Sequence, residues 1–196
     1  IPRLWLKSAI LLNMGTSTTN TISFEQFEAM PEAADHELVR GELRKMSPAG
    51  ANHGKIAMRF GGLLWQHIDE HDLGEVYAAE TGFLLSRNPD TLRAPDVAFV
   101  QKARIPEDGE PDGFWDLVPD LIVEVVSPHD RASEVQQKMQ DYLVAGVRLA
   151  WLVDPASRTI TVYEALDKIR LLLEEDQLDG GDVLPDFSLS LAKLFC

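Results

Sequence analysis

The sequence predicts an α/β (α+β) protein: one domain built on a mixed β-sheet flanked by helices. Three observations carry that expectation. Patterned segments alternate along the chain, with strands, a long helical run, more strands, a second helical run and strands again. The segment PDLIVEVVSP, around residue 124, is apolar on both parities, as in a strand buried on both faces. The chain has 196 residues, 45% of them hydrophobic and 26% charged, which suits one globular domain and argues against disorder.

The elements follow in order. SFEQFEAM predicts a short helix, with Ser23 as N-cap and Glu25 and Glu28 near its positive end. HELVRGELRKMSP alternates and turns at Gly41, so it reads as a hairpin ended by Pro48 and Gly50. From His53 to His71 the apolar residues Ile56, Phe60, Leu63, Leu64 and Ile68 recur at helical spacing, and Gly74 closes the run. EVYAAETGFLLS and LRAPDVAFV each read as one strand, joined by an NPD turn. Residues 101–119 lack periodicity and predict a surface loop. After the buried strand, SPHDRASEVQQKMQDYLVAG predicts a helix with Gly146 as C-cap. LAWLVDP and TITVYEA are two further strands joined through Pro155–Arg158, and KIRLLLEE is another. The acidic tail closes in a short helix near Leu189–Phe195.

Charge narrows the functional classes. The chain carries 18 basic against 32 acidic residues, a net charge of −14. Such a balance argues against a protein that coats nucleic acid without specificity, because phosphate binding rests on Lys and Arg. It leaves room for an enzyme that meets nucleic acid through a metal. Residues 61–120 hold 4 basic and 13 acidic residues, whereas residues 1–60 hold 7 and 6, so a basic groove would draw mainly on the first third. A single cysteine, Cys196, rules out an internal disulfide framework and a cysteine-rich zinc site. No apolar run reaches the roughly 18 residues of a membrane span, so no membrane association is expected, and the expected location is the cytoplasm. Met14 reads as the natural start. Residues 1–13 are then an upstream extension, residues 1–21 an N-terminal extension in all, and residues 22–196 the domain.

Three residues carry the candidate chemistry. Glu124 stands alone inside LIVEVV, and a buried carboxylate costs several kcal/mol unless an arginine, backbone N–H groups or a metal compensates. Asp96, in APDVAFV, is a second lone acid at the head of an apolar strand. Neighbouring strands would bring the two together, and close carboxylates require a shared proton or a cation between them. Hard oxygen ligands point to Mg²⁺ or Mn²⁺. Lys138 falls on the helix face of Val135, Met139, Tyr142 and Leu143, where it either snorkels to the rim or points at those acids.

Asp96 in P-D-V, PDLIVEVVSP, the helix with Lys138 and Tyr142, AGVRLAWLVDP, and the upstream ELVRGELRKMSP and His53 together resemble the Uma-two family of endonucleases, over roughly residues 22–190. That family is placed in the PD-(D/E)xK nuclease superfamily. The resemblance implies a restriction-endonuclease-like core and Mg²⁺-dependent hydrolysis of phosphodiester bonds in DNA. By the same resemblance Asp96, Glu124 and the backbone carbonyl of Val125 hold the metal, and Lys138 orients the attacking water or offsets charge. The sequence departs from the superfamily pattern at Val126, where Glu-x-Lys would place the lysine; Lys138 on the following helix takes over that position. Glu42, in GEL, is expected to reach the site as a further acidic group, with an ordinary surface glutamate as its alternative. His53 stands between a catalytic base and a helix-terminal surface residue.

Other motifs fail. HIDEH lacks the glutamate that a metalloprotease needs directly after its first histidine, because that position is Ile68. Ser127 has no nucleophile elbow, and there is no glycine-rich phosphate loop. Trp5, Trp65, Trp115 and Trp151 are scattered, as core or loop anchors are. Two rival functions stay in view. One is a catalytically idle member of the fold that serves as a binding or assembly module; the other is a hydrolase that uses two carboxylates on a sugar. A homodimer is expected, because double-strand cleavage commonly uses two copies, and Trp5 and Ile10–Leu12 would need cover.

Overall fold

A computed structural model describes residues 21–196; the expectations for Met14, Trp5 and Ile10–Leu12 lie outside the described residues. The fold is the expected mixture of sheets and helices. A helix α1 (Phe24–Glu28) opens it with Ser23 as N-cap, in a capping box closed by Gln26. Strands β1 (His36–Val39) and β2 (Glu42–Lys45) form the expected hairpin, with Arg40 and Gly41 at positive φ in its turn. The long helix α2 spans Ala51–Glu70 and buries Ile56, Phe60, Leu64 and Ile68.

Two segments that read as single strands are each divided. EVYAAETGFLLS yields β3 (Gly74–Ala78) and β4 (Phe83–Ser86). LRAPDVAFV yields β5 (Thr91–Arg93) and β6 (Val97–Gln101). The breaks have physical causes: a turn after Ala78 in the first case, and Pro95 in the second, which donates no ladder hydrogen bond. Beyond the loop come β7 (Leu121–Val125), α3 (Ala132–Ala145), β8 (Leu149–Asp154), β9 (Thr159–Ala165) and β10 (Lys168–Leu172). Gly146 caps α3 in the left-handed region, as expected. The tail holds a second hairpin that the sequence reading did not resolve, β11 (Gln177–Gly180) and β12 (Leu184–Ser190), before the short α4 (Leu191–Leu194).

The main sheet runs β10-β9-β8-β7-β6-β3, and its β7–β8 pairing is parallel while the others are antiparallel. A smaller sheet, β2-β1-β5-β4, sits beside it. Strand β7 is buried at all five positions, in keeping with its unbroken apolar pattern. One face of the main sheet packs on α2 and the β12–α4 tail, around Phe60, Trp151 and Phe187. The other face, with Ala98, Val100, Ile122 and Ala150, packs on Met139 and Tyr142 of α3. Trp115 and Trp151 are core anchors as expected, but Trp65 is exposed on the outer side of α2.

At the sheet edge, Gly74 adopts φ +149° and its backbone presses on the end of β6. A Cβ there would lie 2.1 Å from the Val100 carbonyl oxygen and 2.7 Å from the Lys102 nitrogen. Gly74→Ala is therefore expected to lower stability by about 1–3 kcal/mol, the usual cost of overpacking. A denaturant melt with an unchanged midpoint would show that this edge yields freely.

Candidate active site

The site grows at the seam between the two sheets. Strand β6 pairs antiparallel with β7, Val97 opposite Val123 and Ala98 opposite Ile122. Carried one residue further, that register sets Asp96 across from Glu124. Directly opposed residues of an antiparallel pair project from the same face, about 5 Å apart at Cβ. That face belongs to α3, as Ala98 and Ile122 show by packing on it.

Each carboxylate is held. Asp96 Oδ2 accepts the Val125 backbone N–H at 2.7 Å, and His53 Nε2 lies 3.1 Å from the same oxygen. His53 stands in the first turn of α2 and reaches Asp96 at the end of the sheet. Glu124 accepts the Tyr142 hydroxyl at 2.7 Å and the Lys138 ammonium at 2.8–2.9 Å. Tyr142 and Lys138 lie one turn apart on α3, as the helical spacing predicts. Lys138 thus faces the acids, with its side chain 24% exposed.

A third carboxylate completes the enclosure. Glu37 on β1 is buried; its Oε2 accepts Arg93 Nη1 at 2.7 Å, and its Oε1 accepts the Ala94 N–H at 3.0 Å and lies 3.4 Å from Lys138 Nζ. Arg93 Nη2 also donates to Asp141 on α3 at 2.6 Å, and Asp141 in turn accepts Arg40 at 3.0 Å. Glu42 is not part of this cluster. Its side chain is 67% exposed and pairs with Arg44 at 2.9 Å, so the acid that β1–β2 contributes is Glu37. Position in the smaller sheet supplies the reason: Glu42 lies on the edge strand β2 directly after the hairpin turn, whereas β1 runs between β2 and β5 and sets Glu37 beside Arg93.

The electrostatics follow from burial. Desolvation pushes the Glu124 carboxyl up to about 7, with Asp96 adding to the effect and Lys138 and Tyr142 opposing it. Burial works against the Lys138 charge, yet Glu124 and Glu37 overcome it and hold the ammonium firmly protonated. Contact with Asp96 raises His53 against its own burial. Glu37 is lowered, because Lys138 and Arg93 outweigh its desolvation.

The donor chemistry fits a hard divalent cation. Four carboxylates, Glu37, Asp96, Glu124 and Asp141, face three permanent cations, Arg40, Arg93 and Lys138. Glu124 is a buried acid whose desolvation Lys138 offsets only in part. Among the described residues no three His, Cys, Asp or Glu side chains form a ligating group. A cation at Asp96 and Glu124 would therefore complete its shell with a backbone oxygen such as that of Val125, with water and with substrate phosphate, the usual manner of Mg²⁺.

The sequence profile of the Uma2 family, described as "Putative restriction endonuclease", matches residues 24–192. No curated protein matches the sequence. A crystal structure from Anabaena variabilis, described as "a putative nuclease belonging to DUF820", superposes with a TM-score of 0.79 at 20% identity. The match covers 89% of this chain and 97% of that one, and it shows a shared fold.

Proposed function

Because the chain belongs to the Uma2 family of restriction-endonuclease-like proteins, we propose that it is a Mg²⁺-dependent endonuclease hydrolysing phosphodiester bonds in DNA. The observation that carries the reading is the Asp96–Glu124 register, with Lys138 bound to Glu124 from α3. Asp96, Glu124 and the Val125 carbonyl would hold the ion. When bound, it supplies Lewis acidity to a phosphate oxygen and acidifies a water.

The chain's own residues do the rest. The Val125 N–H and His53 fix Asp96, so one carboxylate is aimed before substrate arrives. Tyr142 fixes Glu124 through Oε1. Lys138, a compact cation at the rim, orients the attacking water and offsets charge as it builds on the phosphate. Lys138→Met is expected to lower cleavage of plasmid DNA by about 10²–10³-fold while leaving Mn²⁺ binding intact in calorimetry, because an ammonium is no ligand. Lys138→Arg is impaired as well, since a planar fork cannot replace a point charge. Full activity in Lys138→Met would reduce the catalytic set to the two carboxylates.

The catalytically idle reading draws on Val126, which stands where the superfamily pattern has lysine, and on the −14 net charge. It requires that calorimetry detect no carboxylate-dependent binding of Mg²⁺ or Mn²⁺. The proposal extends to a homodimer working in the cytoplasm. Ile169 and Leu171 are exposed on one face of the edge strand β10 and Leu173 is exposed just after it, apolar surface that a second copy would cover. No helix among the described residues is long and apolar enough to cross a membrane. A monomeric mass by light scattering at tens of micromolar would remove the dimer from the proposal.

A further inference from the structure

Lys138 has two carboxylate partners, and only one of them is a candidate metal ligand. Its ammonium lies 2.8–2.9 Å from Glu124 and 3.4 Å from Glu37 Oε1. Glu37 is itself immobilised: the Arg93 guanidinium takes one oxygen and the Ala94 N–H the other. Arg93 is in turn clamped by Asp141, one turn beyond Lys138 on α3. Strand β1, the end of β5 and helix α3 are thus tied by a ring of ion pairs that includes the lysine and is closed by the α3 backbone between Lys138 and Asp141.

That ring answers a difficulty in the proposed chemistry. A cation taking up the Glu124 oxygens removes the lysine's nearest counter-charge and places a like charge beside it. An ammonium with no second partner would swing to solvent and cease to face the phosphate. We propose that Glu37 is the positioning residue for Lys138: it is a second, metal-free anchor that keeps the ammonium in place once Glu124 is engaged. This assignment rests on the nuclease reading above. Glu37 touches neither ion nor phosphate, and it acts only through Lys138.

Glu124→Gln imitates the engaged state without metal, because it removes the charge and keeps the shape. In metal-free protein labelled with ¹⁵N-lysine, an ammonium held by carboxylates exchanges its protons slowly enough to be seen, whereas an exposed one does not. The Lys138 ammonium signal is expected to persist in Glu124→Gln and to vanish in the Glu37→Gln/Glu124→Gln double variant. Loss in Glu124→Gln alone, or persistence in the folded double variant, overturns the proposal. Should the double variant fail to fold, Glu37→Asp with Glu124→Gln keeps the charge for Arg93 but shortens the reach by about 1.5 Å; there too the signal is expected to vanish, and persistence overturns the proposal.

In cleavage assays Glu37→Gln alone is expected to lower kcat by about 10- to 100-fold with KM for DNA unchanged, the scale of one charge-assisted hydrogen bond. An unchanged kcat overturns the proposal. A wild-type protein that neither binds Mn²⁺ nor cuts DNA sinks the nuclease reading instead, and the ammonium signal separates that failure from a failure of Glu37's role.

Discussion

Glu124→Gln is expected to abolish cleavage, by about 10³-fold or more given the several kcal/mol a bound cation supplies, and yet to stabilise the metal-free protein at alkaline pH. The physical reason is the mismatch between burial and charge at this residue. Its folded-state pKa of about 7 stands above the ordinary 4.5. Protonated Glu124 therefore contributes stability that is fully present below about pH 4.5 and is lost as pH rises through about 7. Glutamine is neutral throughout and escapes that loss. The difference in stability between variant and wild type should then move in favour of the variant by on the order of a few kcal/mol between pH 5 and pH 8. Thermal melts in the presence of a chelator measure it. A difference that stays flat with pH would mean that Lys138 fully compensates Glu124. Saturating Mg²⁺ should restore much of the wild type's deficit at pH 8, because a ligand bound only by the folded state stabilises it.

Arg93→Met carries the largest expected stability effect. The guanidinium is 9% exposed and bridges Glu37 and Asp141, each also 9% exposed at the side chain. Removing it leaves two buried carboxylates facing each other, with Lys138 near one and the half-exposed Arg40 near the other. Breaking a buried pair by deleting one partner typically costs about 3–5 kcal/mol. A chemical melt should show that loss. The triple variant Glu37→Gln/Arg93→Met/Asp141→Asn should recover part of it, because it leaves no uncompensated charge. If the single variant lost less than about 1 kcal/mol, solvent would have to reach the bridge more freely than its burial indicates.

Much of this site was legible in the chain. Glu124 stood out because an acid inside an unbroken apolar run demands a partner, and Lys138 and Tyr142 followed from helical spacing on the next element. Asp96 was marked by Pro95 and by the apolar strand behind it. What the chain did not disclose was the smaller sheet. Its strands are short, β5 has three residues, and its pairing brings Leu38 against Leu92 across more than fifty positions of sequence. Glu37 and Arg93 are buried only because that sheet forms, so no local pattern separates them from surface charges. The same long-range pairing explains why Glu37, and not Glu42 directly after the hairpin turn, meets Lys138. The β11–β12 hairpin is obscure for another reason: β11 is four residues long with Leu178 as its one large apolar side chain, so it gives too short a pattern to read as a strand.

Pro95 divides what reads as one strand, so that Arg93 lies in one sheet and Asp96 at the threshold of the other. The charged cluster therefore serves as the weld between two halves of the molecule as well as the seat of its chemistry. In such an arrangement rigidity and reactivity share the same atoms. Substitutions that retune one must disturb the other, so drift toward a new activity would have to begin with repairs to the joint. Sequences that abandon the chemistry while keeping the fold should first replace the acids in groups, since a partial loss leaves the weld under electrostatic load.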